Sequence, residues 1–372
     1  SSFLDELAHA VLSGEFARDE LLLDPLALGD VTIMLPTRRA ARQLQQSLLD
    51  ASKQSALLLP SIRPIGEATE DLTLLHALAS REAFLGDGTI PPAVGELERR
   101  LVLATLVLRW SEALRDRDIP ERSRQAIMQA AGANTPAQAM HLARELARLI
   151  DMVETENAEL SDLESLVPDA LSEHWQQTLD FLRIILEWWP AHLVSSDKLS
   201  PADRRNRVIL NEAARIRATK PAGPLIVAGV TGSIPATTEL MRAVLSHSLG
   251  AIVLPGLDTE MDEASWSRLA NDNPEHPQCS LAKLLQAIGV SRADVKPMAV
   301  KGSVALDNRA RLISEAMRPA ATTHKWHQLG NTIAADDATA AFAGVHRLTA
   351  PTAQDEAEAI ALIMRRAAEE PN

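Results

Sequence analysis

Tyrosine is absent and phenylalanine occurs only five times, so the six tryptophans are the main side chains able to stack on a flat ligand. A single cysteine, Cys279, excludes an internal disulfide framework and an iron-sulfur cluster built from this chain's own thiolates. A reducing, cytoplasmic compartment is therefore expected, and the lack of a charged-then-apolar leader points the same way. The longest apolar runs, residues 225–230 and 251–254, fall far short of the roughly 20 residues that a membrane-spanning helix requires. Positive charge is also scarce. Lys and Arg number 37 against 50 Asp and Glu, and the net charge of -13 excludes a protein that coats nucleic acid through bulk charge.

Nucleotide and metal chemistry lack their usual residues too. A phosphate-cradling loop needs glycines followed by Lys and Ser or Thr, yet no Gly-Lys pair occurs anywhere in the chain. The seven lysines are scattered, and only Gly14 and Gly29 precede the first strand-like run, so ATP hydrolysis by this chain is not expected. His276-Pro-Gln-Cys279 has a ligand-like gap but no second Cys or His pair to complete a zinc site, and it reads as a turn. Thr231-Gly-Ser233-Ile lacks the second glycine of a nucleophile elbow, which gives hydrolase chemistry only weak support. No catalytic residue and no metal ligand is assigned.

What is present is an alternation of short apolar runs and helical periods. A length of 372 residues implies roughly two or three domains at about 150 each. Residues 31–35 read as a buried strand followed by a helix over 38–50, and residues 56–59 read as a second strand. Residues 225–229 and 251–254 read as strands on either side of a helix over 235–247. The fold class expected is α/β, with a mostly parallel sheet whose binding edge lies at the carboxyl ends of its strands. Between the strand groups the period is almost entirely 3.6, with long amphipathic stretches at 96–115, 137–154 and 173–189. Trp110, Trp175, Trp188 and Trp189 lie in this block; at helical spacing beside Leu and Ile they read as core, with base stacking as the alternative. Beyond a loose stretch with one helix near 308–317, residues 344–350 alternate like a strand and 354–368 like a helix. One strand and one helix hold too little sheet to stand alone, so the chain is expected to stop just inside a further domain.

Three charged groupings carry candidate chemistry. Between Val31 and Arg63 lie Arg38, Arg39, Arg42, Lys53 and Arg63 against Asp50 alone. From Ala202 to Lys220, six basic residues (Arg204, Arg205, Arg207, Arg215, Arg217, Lys220) face Asp203 and Glu212. Each strip is either anion-facing or a solvated helix face balanced by acids elsewhere. Asp258, Glu260, Asp262 and Glu263 follow the last strand and could hold magnesium or exchange protons, or else cap the helix that enters Trp266. The first alternative would fit a two-domain α/β enzyme that binds a nucleotide-sugar or other small ligand at the sheet edge.

The segment Leu35-Pro-Thr-Arg-Arg-Ala-Ala-Arg-Gln-Leu44 resembles motif Ia of superfamily 1 helicases of the UvrD and RecB kind, which touches the backbone of single-stranded DNA. Further segments, Leu58-Leu59-Pro60-Ser-Ile-Arg63-Pro64-Ile-Gly66, Ile226-Val-Ala-Gly229-Val-Thr231-Gly232-Ser233-Ile-Pro235 and Ile252-Val-Leu-Pro255-Gly256-Leu-Asp258, follow in an order similar to that of alphaproteobacterial AddB proteins. His276-Pro-Gln before a Leu-rich helix fits the same pattern. The resemblance covers nearly the whole chain but only the N-terminal portion of the family's length. It implies a P-loop/superfamily 1 helicase-like sheet over residues 1–65 and 221–335, a large all-helical insertion over 66–220, and the start of a truncated second helicase-like domain over 341–372. Carried over, Thr37, Arg38, Arg39, Arg42 and Arg63 would contact DNA, as would the loop Gly229, Thr231, Gly232 and Ser233, which occupies the place of motif III. That loop departs from an active helicase in lacking the motif's Asp and Gln. The resemblance implies a DNA-binding half of an end-processing helicase-nuclease whose AddA-type partner supplies the motor, in a heterodimer. The family's iron-sulfur cluster and Mg2+ would belong to a C-terminal nuclease domain beyond Asn372, which would make the full-length protein an exonuclease subunit.

Overall fold

The computed structural model describes residues 3–17, 26–52, 57–66, 90–115, 135–158, 181–182, 184–219, 223–298 and 304–370. The chain is α/β and mostly helical, and it divides into two compact units. The first comprises Ser1–Leu257 with Pro277–Ala299, and the second Asp258–His276 with Val300–Asn372.

The first unit is organised by a four-stranded parallel sheet: β1 (Thr32–Leu35), β2 (Ser61–Pro64), β3 (Leu225–Ala228) and β4 (Gly250–Val253), in the order β2-β1-β3-β4. Central strands of a parallel sheet are covered on both faces, which is why β3 is apolar throughout and β1 is so after Thr32, rather than alternating. Thr32 pairs with both Ser61 and Leu225, and Ala228 pairs with Val253, so the four carboxyl ends lie along one edge. Alternate side chains divide between two cores. Ile33, Leu35, Ile226 and Ala228 pack with Leu7 and Val11 of α1 (Phe3–Leu12) and with Leu44 and Leu48 of α2 (Arg38–Ser52). Met34, Leu225 and Val227 pack on the other face with Ile209 and Ala213 of α6 (Pro201–Ala218), Leu240 of α7 (Pro235–Leu245) and Leu284 of α8 (Cys279–Ile288). Both faces thus carry helices.

Between β2 and β3 the described residues form no strand, only an isolated bridge from Ala93 to Leu199. The helices there are α3 (Glu96–Arg115), α4 (Pro136–Thr155), one π-helical turn (Ile184–Trp188), α5 (Trp189–Ser196) and α6. Thr135 caps α4 by accepting from the Gln138 amide, and Pro136 occupies the first turn, where its missing N–H costs nothing. Leu103, Val107 and Trp110 of α3 meet Ala143, Ala147 and Ile150 of α4 around Trp189. Trp110 and Trp189 are therefore core residues, while Trp188 is partly exposed; Trp175 and residues 173–180 lie outside the described residues.

In the second unit, Asp262 caps the short turn Glu263–Trp266, and α9 (Val304–Ala316) packs on α10 (Ala335–Ala341). Asn308 donates to Asp337 at 3.0 Å, and Arg309 donates to the carbonyls of Ala341 and Ala343, each at 2.7 Å. α11 (Ala353–Glu369) starts at the cap Thr352 and has no buried residue.

Two strand expectations shift. The second strand is Ser61–Pro64 rather than 56–59, because the ladder begins with the first free amide after Pro60: Ser61 donates to Val31 at 2.9 Å. Leu57 and Leu59 pack against the core as a lead-in. Residues 345–350 form no strand; the second unit offers no ladder partner among the described residues, and a strand exists only through its pairing.

Candidate anion-facing edge of the sheet

At the carboxyl end of β1, Pro36 ends the strand and Thr37 begins α2. The Thr37 hydroxyl accepts from the Ala40 amide at 3.1 Å and its carbonyl from the Ala41 amide at 3.1 Å, which makes Thr37 the N-cap. Arg38, Arg39 and Arg42 follow on the first turns, and all four side chains are exposed. No acid lies in the first turn of α2. Cations at a helix N-terminus oppose the macrodipole by a few tenths of a kcal/mol each, so this placement does not serve the helix. Neither Arg39 nor Arg42 has an ion-pair partner among the described residues.

The loop after β3 adjoins this turn. Gly229 has φ of +72, and a Cβ placed there would lie 3.2 Å from the Phe3 ring and 3.7 Å from Pro36 Cδ. The left-handed backbone favours glycine there, and a side chain would crowd Phe3 of α1, whereas Pro36 before α2 lies at ordinary contact distance. Thr231 and Gly232 are half-buried and Ser233 is exposed. Gly232, at φ +63, presents its α-carbon to Leu284, and its carbonyl accepts from the Thr238 hydroxyl at 2.9 Å. Thr37 through Arg42 and the Gly229–Ser233 loop thus share one edge.

Arg63 does not join them. It sits within edge strand β2, and its guanidinium turns to Glu212 of α6 at 3.3 Å. Burial lowers its pKa from the ordinary value, with Glu212 opposing and Arg215 adding to that shift. The second basic strip is largely neutralised: Arg207 pairs with Asp203, Arg215 with Glu212 and Arg217 with Glu239, at 3.0, 2.7 and 2.9 Å. Lys53 and Lys220 lie outside the described residues.

The acidic group after β4 resolves into turn and cap contacts. Asp258 Oδ1 accepts from the amides of Glu260 and Met261, both at 2.9 Å, and Glu260 pairs with Arg311. Asp262 accepts from the Ser265 amide, the Arg318 guanidinium and Lys325 Nζ. Although burial pushes the Asp262 carboxyl up, the bonds from Lys325, Arg318 and Ser265 prevail and hold it well below the usual carboxylate range. Asp258 thus closes a turn, and Asp262 supplies the helix cap. His276 Nε2 lies 2.6 Å from the Met317 carbonyl oxygen, and Cys279 is buried at the start of α8. Among the described residues no group of three or more His, Cys, Asp or Glu could hold a metal ion. The single thiol does not fit an iron-sulfur cluster. No helix among the described residues is long and apolar enough to cross a membrane.

A polar cluster in the helical block escaped the reading of charge along the chain. Arg99 of α3 is 1% exposed; it donates to Asp151 of α4 at 3.0 Å and to the Ala147 carbonyl at 2.7 Å, and lies 5.9 Å from the Trp189 ring centroid. Trp189 Nε1 donates to Ser200 at 3.2 Å, Arg205 to Thr155 at 2.9 Å, and Asn206 to the Glu154 carbonyl at 2.7 Å. The signal was periodic. Arg99 precedes Leu103, Val107 and Trp110 on the buried stripe of α3, Glu154 extends the Ala143-Ala147-Ile150 stripe of α4, and Asn206 lies between Ala202 and Ile209 of α6. A polar residue at an apolar position on each of three neighbouring helices marks an internal contact.

No protein-family model matches the chain, and no curated protein matches it significantly.

Proposed function

We propose that this chain is the helicase-like, ATPase-inactive, DNA-binding portion of an AddB-type subunit, which processes DNA double-strand ends together with a separate motor subunit. The observation that carries the reading is the start of α2. There Thr37, Arg38, Arg39 and Arg42 stand exposed at the carboxyl edge of a parallel sheet, against the preference of the helix itself, beside the glycine-containing loop 229–233. Backbone amides at a helix N-terminus together with guanidinium groups suit a phosphate chain. An overall charge of -13 with one basic edge suits local backbone contact rather than a general coat. In this reading the all-helical stretch between β2 and β3 is an insertion into the helicase-like domain, and a partner hydrolyses ATP. The nucleotide-sugar alternative draws less support, since Asp258 Oδ1 bonds to backbone amides within a turn and Asp262 caps a helix and pairs with Arg318 and Lys325.

The test is a salt titration of single-stranded oligonucleotide binding by the full chain, alone and with its motor partner. Replacing Arg38 and Arg39 by Ala should weaken binding and reduce the slope of log K against log salt by about 1.4, or about 0.7 per lost phosphate contact. Arg215→Ala, which removes an already paired cation, should leave the slope unchanged. An unaltered slope in the double variant refutes the assignment.

A further inference from the structure

The buried cluster between α4 and α6 joins the helical block to the sheet. At the start of α6, Arg205 and Asn206 bond to Thr155 and the Glu154 carbonyl at the end of α4, and the cap residue Ser200 accepts from Trp189 of α5. The later turns of α6 place Ile209, Ala213 and Ile216 in the sheet core. Within the cluster, Glu154 Oε2, Asn206 Oδ1, Arg99 Nε and Arg205 Nε are buried with no hydrogen-bond partner among the described residues. The charges facing Glu154 are identifiable element by element. α3 contributes Arg99, α4 contributes Asp151, and α6 contributes Asp203. Further along α6 stand Arg204, Arg205 bonded to Thr155, and Arg207 bonded to Asp203. The titratable group of α5 is His192, stacked on Trp189 at 5.8 Å between ring centroids, and the link into α6 carries Lys198, paired with Glu98 of α3 at 2.7 Å.

We propose that this cluster is a proton-dependent latch: with a proton on Glu154 the helical block is held against α6, and loss of that proton loosens the junction. Ionised, Glu154 would be the third carboxylate beside Asp151 and Asp203, and the fully buried guanidinium of Arg99 is already committed to Asp151 and to the Ala147 carbonyl. Neutral, it leaves a balanced pair between Arg99 and Asp151. Burial pushes the Glu154 carboxyl up to about 7; Ser200 and Arg99 oppose the rise, and Asp203 and Asp151 reinforce it. The sign follows from linkage. A carboxyl raised from 4.5 to about 7 favours the closed junction fully below the lower value, and that advantage is lost as pH rises through the upper one.

Hydrogen exchange of the full chain tests this at the amides of residues 151–158 and 204–209, corrected for intrinsic rate. Protection there should fall about tenfold per pH unit between the ordinary carboxyl value and neutrality, then level off. Glu154→Gln, nearly isosteric and uncharged, should abolish the dependence. Asp203→Asn removes a like charge and should move the levelling point to lower pH while the protein stays folded. A flat profile in the unmodified protein, a slope that survives Glu154→Gln, or an equal slope at the amides of β1 and β3 would overturn the latch.

Discussion

Replacing Arg99 by Met should destabilise the helical block by about 2 kcal/mol, and the size of that loss separates two views of a buried cation. Its guanidinium donates to Asp151 at 3.0 Å and to the Ala147 carbonyl at 2.7 Å, and removing a hydrogen bond to a charged group costs about 1.5–3 kcal/mol. Two such bonds would suggest about 5 kcal/mol, but three features reduce the sum. The Asp151 side chain is 44% exposed and rehydrates once its partner is gone. The Ala147 carbonyl, inside α4, retains its helical role as an acceptor. Methionine fills much of the vacated volume beside Trp189 and ends the desolvation of a fully buried guanidinium. Urea unfolding followed by tryptophan fluorescence measures the change. A double-mutant cycle with Asp151→Asn should give a coupling of about 1–2 kcal/mol. If Arg99→Met proved neutral or stabilising, the burial cost of the cation would equal or exceed what its contacts return. The claim that the cluster holds the block together would then fail.

Other positions make sharper, simpler tests. Gly250→Ala would put a Cβ 1.8 Å from the Val244 carbonyl oxygen, so the turn from α7 into β4 must move; loss of soluble protein or destabilisation beyond about 4 kcal/mol is expected, read by yield and thermal melting. Gly232→Ala combines φ of +63 with a Cβ 2.4 Å from Leu284 Cδ1, in a core that leaves Leu284 little room, and should cost about 2 kcal/mol by urea titration. Asp262→Ala removes the cap of Glu263–Trp266 and the partner of Arg318 and Lys325, for a loss of about 1–2 kcal/mol in the second unit. Since the folded carboxyl is held below its unfolded value, the stability it contributes is present above about pH 4 and lost as pH falls. Melting curves of the two proteins should therefore converge in acid.

The sheet was legible because its strands are short, β-branched, apolar runs bounded by proline and glycine; three of the four lie within a residue or so of the expected positions. The exception, β2, was displaced by Pro60, whose effect on ladder donors outweighs the appeal of three consecutive leucines. The extents of α3 and α4 were read closely: Ala143, Ala147 and Ile150 line one face of α4, and α3 buries Leu103, Val107 and Trp110 while exposing Leu97 and Leu101. The stretch 344–350 was misread because alternation supplies half of what a strand needs, and pairing cannot be seen from one segment. Among site residues, exposure at Thr37–Arg42 followed from their place after a strand, but the engagement of Arg63 by Glu212 depends on α6, far along the chain. The Arg99 cluster was missed for a related reason: counting charge along the sequence hides a cation that stands alone on an apolar stripe.

The pairing of Thr32 with Leu225 has a consequence for biosynthesis. As the nascent chain leaves the ribosome, β1 and β2 can join each other early, but the inner edge of β1 must wait until residue 225 has emerged. During that interval the chain exposes an unpaired apolar ribbon, while the intervening helices, whose contacts are local, are free to condense. Substitutions that slow helix assembly should therefore lengthen dependence on chaperones more than they lower final stability.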